Sequence, residues 1–205
     1  MSATTTPAVL QSEASGIDQR VVLPVVSWDA YESLLASRGE CSSVRITYLA
    51  GEMELMTPSQ EHERQKTRLA RLIEAYAEEA GVELEGIGSW TIRDREQRRG
   101  AEPDECYVVG PVDTIDAPDF VIEVVWTSGG VDKLEVWRGL GVSEVWLWQD
   151  GRLRFFQLER GTYVSRERSL YLPGLDPRLV AQCMASSSQT AAVAELRRAI
   201  REQSR

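Results

Sequence analysis

Hydrophobic and polar positions fall in blocks along the chain, and their period switches between that of a helix and that of a strand. The first block, WDAYESLLASRG, is preceded by Ser27 as a candidate cap and closed by Gly39, which predicts a short helix. VRITYLAGEMELM then reads as a hairpin of two strands around Gly51. Thr57-Pro58-Ser59-Gln60 combines an N-cap, a proline for the first helical position and a capping-box glutamine. It predicts a long helix from about Pro58 to Ala80, stopped by Gly81, with Leu69, Leu72, Ile73, Tyr76 and Ala80 as its apolar stripe.

VELEGIGSWTIR predicts a strand with a glycine-rich interruption, and CYVVG and DFVIEVVW predict two more. The last is apolar nearly throughout and is expected to be buried on both faces. VDKLEVWRGLG fits a helix ending at Gly141, and SEVWLWQDGRLRFFQL a hairpin turning at Asp150-Gly151. Residues 161–174 predict a strand and a loop, and AAVAELRRAIREQ an amphipathic helix that caps the domain. The order gives a mixed α/β (α+β) domain over residues 21–205. The polar segment 1–20 before it is expected to be a disordered tail.

Composition narrows the chemistry. The 205 residues are 42% hydrophobic, enough for one sizeable core. No apolar run approaches the roughly 18 residues needed to cross a bilayer, and the N-terminus lacks the basic and apolar regions of a secretory signal. A cytoplasmic protein with no membrane association is expected. Cys41, Cys106 and Cys183 are too far apart for a metal pair and odd in number, and His62 is the one histidine. Structural zinc is therefore excluded, and any metal would be a hard cation held by carboxylates. The net charge of −9 weighs against a general polyanion binder, so contact with nucleic acid would need a local basic patch.

Two carboxylates stand out. Asp104 follows Pro103 at the start of the strand ECYVVG, and Glu123 interrupts the apolar run of Val121, Ile122, Val124 and Val125. An antiparallel pairing of these strands about residue 114 places Asp104 opposite position 124, with Glu123 as a near neighbour. A carboxylate inside such a run needs a partner, a proton or a metal, unless it faces solvent on a half-exposed strand. Lys133 heads the helical face that carries Val136, Trp137 and Leu140. It could orient a water and stabilise charge on a phosphate, or simply snorkel at the edge of the core. His62 continues the stripe of Lys66, Leu69 and Ile73, as a polar residue at the mouth of a site or as a partly buried histidine without chemistry. Glu52, beside the turn at Gly51, is a further acidic candidate or an exposed hairpin residue. Arg93, Arg95, Arg98 and Arg99, just ahead of Asp104, could contact DNA phosphates or form a solvated loop.

The ordered set GEMELMTPSQEHE, EPD, APDFVIEVVWTSGGVDKLEVWRGLGVSEVWLW and SLYLPGLD resembles the Uma-two family of restriction endonucleases, within the PD-(D/E)XK nuclease superfamily. The likeness spans about residues 24–185. It implies a restriction-endonuclease-like core, a central mixed sheet flanked by helices, and metal-dependent endonuclease activity on DNA. By resemblance Asp104 and Glu123, with the carbonyl of Val124, bind Mg²⁺, for which Mn²⁺ can substitute, and Lys133 assists the hydrolytic water. Asp119, in the second Pro-Asp pair, is the substitute for Asp104 if the register differs. The chain departs from the superfamily pattern at Val125, where a lysine is usual, and in the shorter W-T-S-G-G connection. Restriction-type enzymes often act as homodimers, which makes a second copy a candidate partner. A catalytically inactive binding protein on the same fold and a metal-dependent phosphoesterase for small substrates are the alternatives.

Overall fold

In the computed structural model, the described residues are 16–39, 43–111, 116–125 and 130–203. Strand β1 (Gln19–Leu23) leads to helix α1 (Trp28–Arg38) and the hairpin β2 (Arg45–Leu49) and β3 (Glu52–Thr57). The long helix α2 (Gln60–Ala80) is followed by the short strands β4 (Leu84–Gly86), β5 (Ile92–Asp94) and β6 (Arg99–Ala101). Then come β7 (Glu105–Val109), β8 (Phe120–Val125), α3 (Lys133–Gly139), β9 (Glu144–Gln149), β10 (Arg152–Glu159) and β11 (Thr162–Arg166). Helices α4 (Pro177–Met184) and α5 (Gln189–Gln203) complete the described chain.

The strands form two sheets, ordered β1-β3-β2-β6-β5 and β11-β10-β9-β8-β7-β4. The second is mixed, because β8 and β9 run parallel while its other pairs are antiparallel. A parallel pair cannot be joined by a tight turn, so the chain crosses over through α3. One face of this sheet carries Tyr107, Phe120, Ile122, Val124, Trp146 and Phe155, packed on Leu69, Leu72, Ile73 and Tyr76 of α2 and on α4 and α5. The other face carries Cys106, Val121 and Val145 and meets Val136 and Trp137 of α3 and Ala101 of β6. In the five-stranded sheet, Ile46, Tyr48 and Met53 pack beneath Trp28, Tyr31 and Leu35 of α1.

Several sequence-based expectations change in detail. Helix α2 is capped by Ser59, whose hydroxyl accepts from the His62 N–H, and Thr57 closes β3 instead. Pro58 therefore lies outside the helix, no capping box forms at Gln60, and Ala80 is exposed at the helix end. VELEGIGSWTIR is not one interrupted strand. Its halves pair in different sheets, β4 with β7 and β5 with β6. Strand β6 lies inside the arginine run, where RGA carries no alternation to announce it. Helix α3 ends at Gly139, and α4, absent from the expected elements, starts on an Asp176 cap with Pro177 in its first turn. Helix α5 does more than cap, since Ala192 and Leu196 are fully buried against α2 and α4. Strand β1, paired with β3, begins at Gln19, inside the segment expected as a tail, while residues 1–15 lie outside the described residues, as do 112–115, 126–129 and Cys41.

Both expected hairpin turns are present, with positive φ at Ala50 and Gly51 and again at Asp150 and Gly151. That is the conformation of the two-residue turn whose twist matches its strands. A buried ion pair ties α1 to the strand region. Arg38 grips Glu102 with both guanidinium nitrogens, and Thr91 and the Ile46 N–H also donate to this carboxylate. Burial would raise the Glu102 carboxyl, but these donors outweigh it and hold it below its ordinary 4.5. The lowered pKa makes the contribution full above the unfolded-state value, and it is lost as pH falls through the folded one. Glu102→Gln is expected to lower unfolding free energy by about 3 kcal/mol in urea titrations near neutral pH. The deficit against wild type should shrink in acid. An unchanged midpoint at neutral pH would contradict this role.

Candidate active site

Between the two sheets lies a buried polar layer, built from the inward faces of β2 and β3, the start of α2 and the adjoining ends of β7 and β8. Asp104 is at its centre and 1% exposed. One carboxylate oxygen, Oδ2, accepts the Val124 N–H at 2.6 Å. The other, Oδ1, meets His62 Nε2 at 3.0 Å and forms an ion pair with the guanidinium of Arg45. His62 is held from its other side by Asp18, at 3.0 Å from Nδ1, so the imidazole bridges two carboxylates. Burial alone would raise the Asp18 carboxyl, yet the hydrogen bonds from His62 and from Ser59 lower it to about 2. Glu105, next in the chain after Asp104, is pushed up by burial.

The register of β7 and β8 pairs Glu105 with Ile122, and one step further sets Asp104 opposite Glu123. The expected partner was position 124, so the spacing argument was one residue out while bringing the same two acids to one end of the pair. Glu123 shares the Cys106 and Val121 face and is 5% exposed. Its Oε1 accepts from Trp137 Nε1 at 2.8 Å and lies 3.6 Å from Lys133 Nζ. Both side chains come from α3, whose Asp132 cap fixes the start of the helix at the lysine. The periodicity that put Lys133 on the face of Val136 and Trp137 thus delivers its amine to Glu123.

The remaining candidates separate. His62 is in the layer and 1% exposed. Glu52 is exposed at the hairpin end, and Glu54, two residues on, is the buried acid. Glu54 accepts the Val131 N–H at 3.1 Å and has Arg20 Nε at 3.5 Å. Gly130, with φ +98°, lies so close that a Cβ there would overlap the Glu54 carboxylate. Asp119 is away from the layer and accepts the Val109 N–H across the β7–β8 pair. The arginine run is taken up by nearby groups: Arg93 and Arg95 by Glu32 and Asp29, Arg99 by Glu135, and Arg98 by the Tyr48 hydroxyl.

Sequence reasoning passed over Asp18, Arg45 and Glu54. For the last two a cue existed, since Ile46 and Tyr48 face α1 and the residues alternating with them must face the other way. Asp18 offered none inside a polar segment. In donor chemistry the two candidates offer oxygen only, the carboxylates of Asp104 just before β7 and of Glu123 in β8. Among the described residues no cluster of three or more His, Cys, Asp or Glu side chains could hold a metal ion. One or two carboxylates with several waters are the ligands that a Mg²⁺ ion takes.

No curated protein matches the chain. No helix among the described residues is long and apolar enough to cross a membrane. Residues 28–188 match the Uma2 family, described as "Putative restriction endonuclease", and this match over most of the chain, carried on a mixed α/β fold, makes the protein a member of that family.

Proposed function

We propose that the protein is a Mg²⁺-dependent endonuclease that hydrolyses phosphodiester bonds in DNA. The observation that carries the reading is Lys133 Nζ at 3.6 Å from Glu123, beside the strand end where Asp104 is bonded to the next peptide. Asp104 and Glu123, with the Val124 carbonyl, would hold the ion, with Mn²⁺ as a substitute. When bound, it would polarise the scissile phosphate and make a bound water more acidic. Lys133 then orients the attacking water and offsets charge developing on the phosphate. Trp137 fixes the Glu123 carboxylate through its indole N–H. His62 and Arg45 set the position of Asp104 from the opposite side. A symmetric pair of subunits would let one catalytic centre act on each strand.

A second reading, an inactive binding protein on the same fold, is favoured by one feature. The charge of Asp104 is already compensated by Arg45. A metal entering there competes with a guanidinium, and an inactive protein could keep that ion pair permanently.

Two experiments decide between them. Asp104→Asn keeps the shape and part of the hydrogen bonding, whereas alanine would break the buried pair and leave Arg45 with Glu63 alone, at a cost of about 3–5 kcal/mol. With Mg²⁺ present, Asp104→Asn should cut plasmid DNA at least about 100-fold more slowly, and Lys133→Ala about 100- to 1000-fold more slowly, both with wild-type circular dichroism. Equal cleavage by wild type and Asp104→Asn would remove the assignment. Calorimetric titration with Mn²⁺ supplies the other arm: wild type binds at millimolar concentrations and Glu123→Gln does not. A flat titration of wild type would favour the inactive reading.

A further inference from the structure

A DNA nuclease with net charge −9 must gather its phosphate contacts locally. The run from Arg93 to Arg99 is poorly suited, because Arg93, Arg95 and Arg99 are paired with acids of this chain. The mixed sheet offers another place. In register, Glu123 of β8 is level with Leu147 of β9, and Leu147 with Arg154 of β10. Val125 is likewise level with Gln149, and Gln149 with Arg152. Directly paired residues project to the same face of a sheet. Arg152, Arg154 and Gln149 therefore share the face of Glu123, at the same end of the strands. Two strand spacings, about 10 Å, separate the Cα atoms of Glu123 and Arg154.

Arg152 and Arg154 are both exposed. Among the described residues, neither forms an ion pair with an acid. Arg154 instead donates to the neutral Gln149 side chain and lies over the Phe156 ring, 5.8 Å from its centroid. These contacts hold the guanidinium in place without cancelling its charge. Together with Gln149 and Asp150, the two arginines line a surface depression of about 400 Å³. Asp150 is its one acid.

We infer that Arg152 and Arg154, steadied by Gln149 and Phe156, form a phosphate-binding platform that grips the DNA backbone roughly three base steps from the scissile bond. The span follows from about 10 Å of sheet against about 3.4 Å of rise per base. This inference rests on the nuclease reading and adds the direction in which the substrate lies, across β9 and β10 from the Glu123 and Lys133 end. An arginine on a rigid strand suits the role, since its planar fork matches phosphate oxygens and a β-ladder fixes its root.

The test measures binding apart from cleavage. Fluorescence anisotropy of a labelled duplex in EDTA is followed from about 50 to about 200 mM salt for wild type, Arg152→Ala/Arg154→Ala and Arg93→Ala/Arg95→Ala. Each phosphate contact contributes about 0.9 to the slope of log affinity against log salt. The Arg152/Arg154 variant should lose about 1.8 from that slope, so its affinity falls roughly tenfold less across the range. The Arg93/Arg95 variant should keep the wild-type slope. Circular dichroism and thermal midpoint should be the same in all three, which shows that the variants are folded. If wild type binds and the Arg152/Arg154 variant keeps its slope, the platform is wrong and the nuclease reading stands. If wild type shows no salt-dependent binding at the lowest salt, both fall together.

Discussion

Everything in the polar layer is organised by the need to satisfy one buried carboxylate. Asp104 sits where two sheets and the start of α2 meet, and water is excluded there. A charge in such a place must be met on every side. Val124 meets it from the neighbouring strand, His62 from the helix and Arg45 from the other sheet. Each partner belongs to a different element, so the carboxylate fastens three parts of the fold at once. The second tier follows the same logic, since Asp18 supports His62 and Glu63 shares Arg45.

This arrangement explains how a strongly acidic protein can keep so many ionisable groups inside. Arg20, Arg45 and Lys133 are set among Asp18, Glu54, Asp104 and Glu123, acid beside base, and all but the Arg20–Asp18 pair join different parts of the chain. Replacing such a layer by apolar side chains can cost little stability, whereas removing one member costs much. Buried charge therefore speaks for specificity or chemistry more than for strength. The family membership and the lysine beside Glu123 favour chemistry.

Much of this was legible in the sequence, and the failures have physical causes. Helices α1 and α2 and the hairpins at Gly51 and Gly151 follow from local signals, because caps and two-residue turns act over a few residues. The inward face of Lys133 was legible from helical period, whereas its choice over a snorkelling lysine came from the family resemblance. What could not be read was long-range pairing. Nothing near Leu84 or Ile92 says that they join different sheets, and three-residue strands carry too few alternations to declare a face. Glu52 and Glu54 differ only in how far they lie from a turn, and the second sheet decides which one is enclosed. Asp18 depends on α2, 44 positions away at His62.

The parallel neighbours β8 and β9 carry one more lesson. Their direction obliges the chain to travel from one end of the sheet to the other, and α3 is the vehicle. The same obligatory journey brings an amine to the acid at its point of departure. Scaffold and candidate site thus meet in a single connector, which variation could lengthen or shorten while the ladder beneath it stays whole. A chain built this way can change which side chain stands beside a strand end without redesigning its frame.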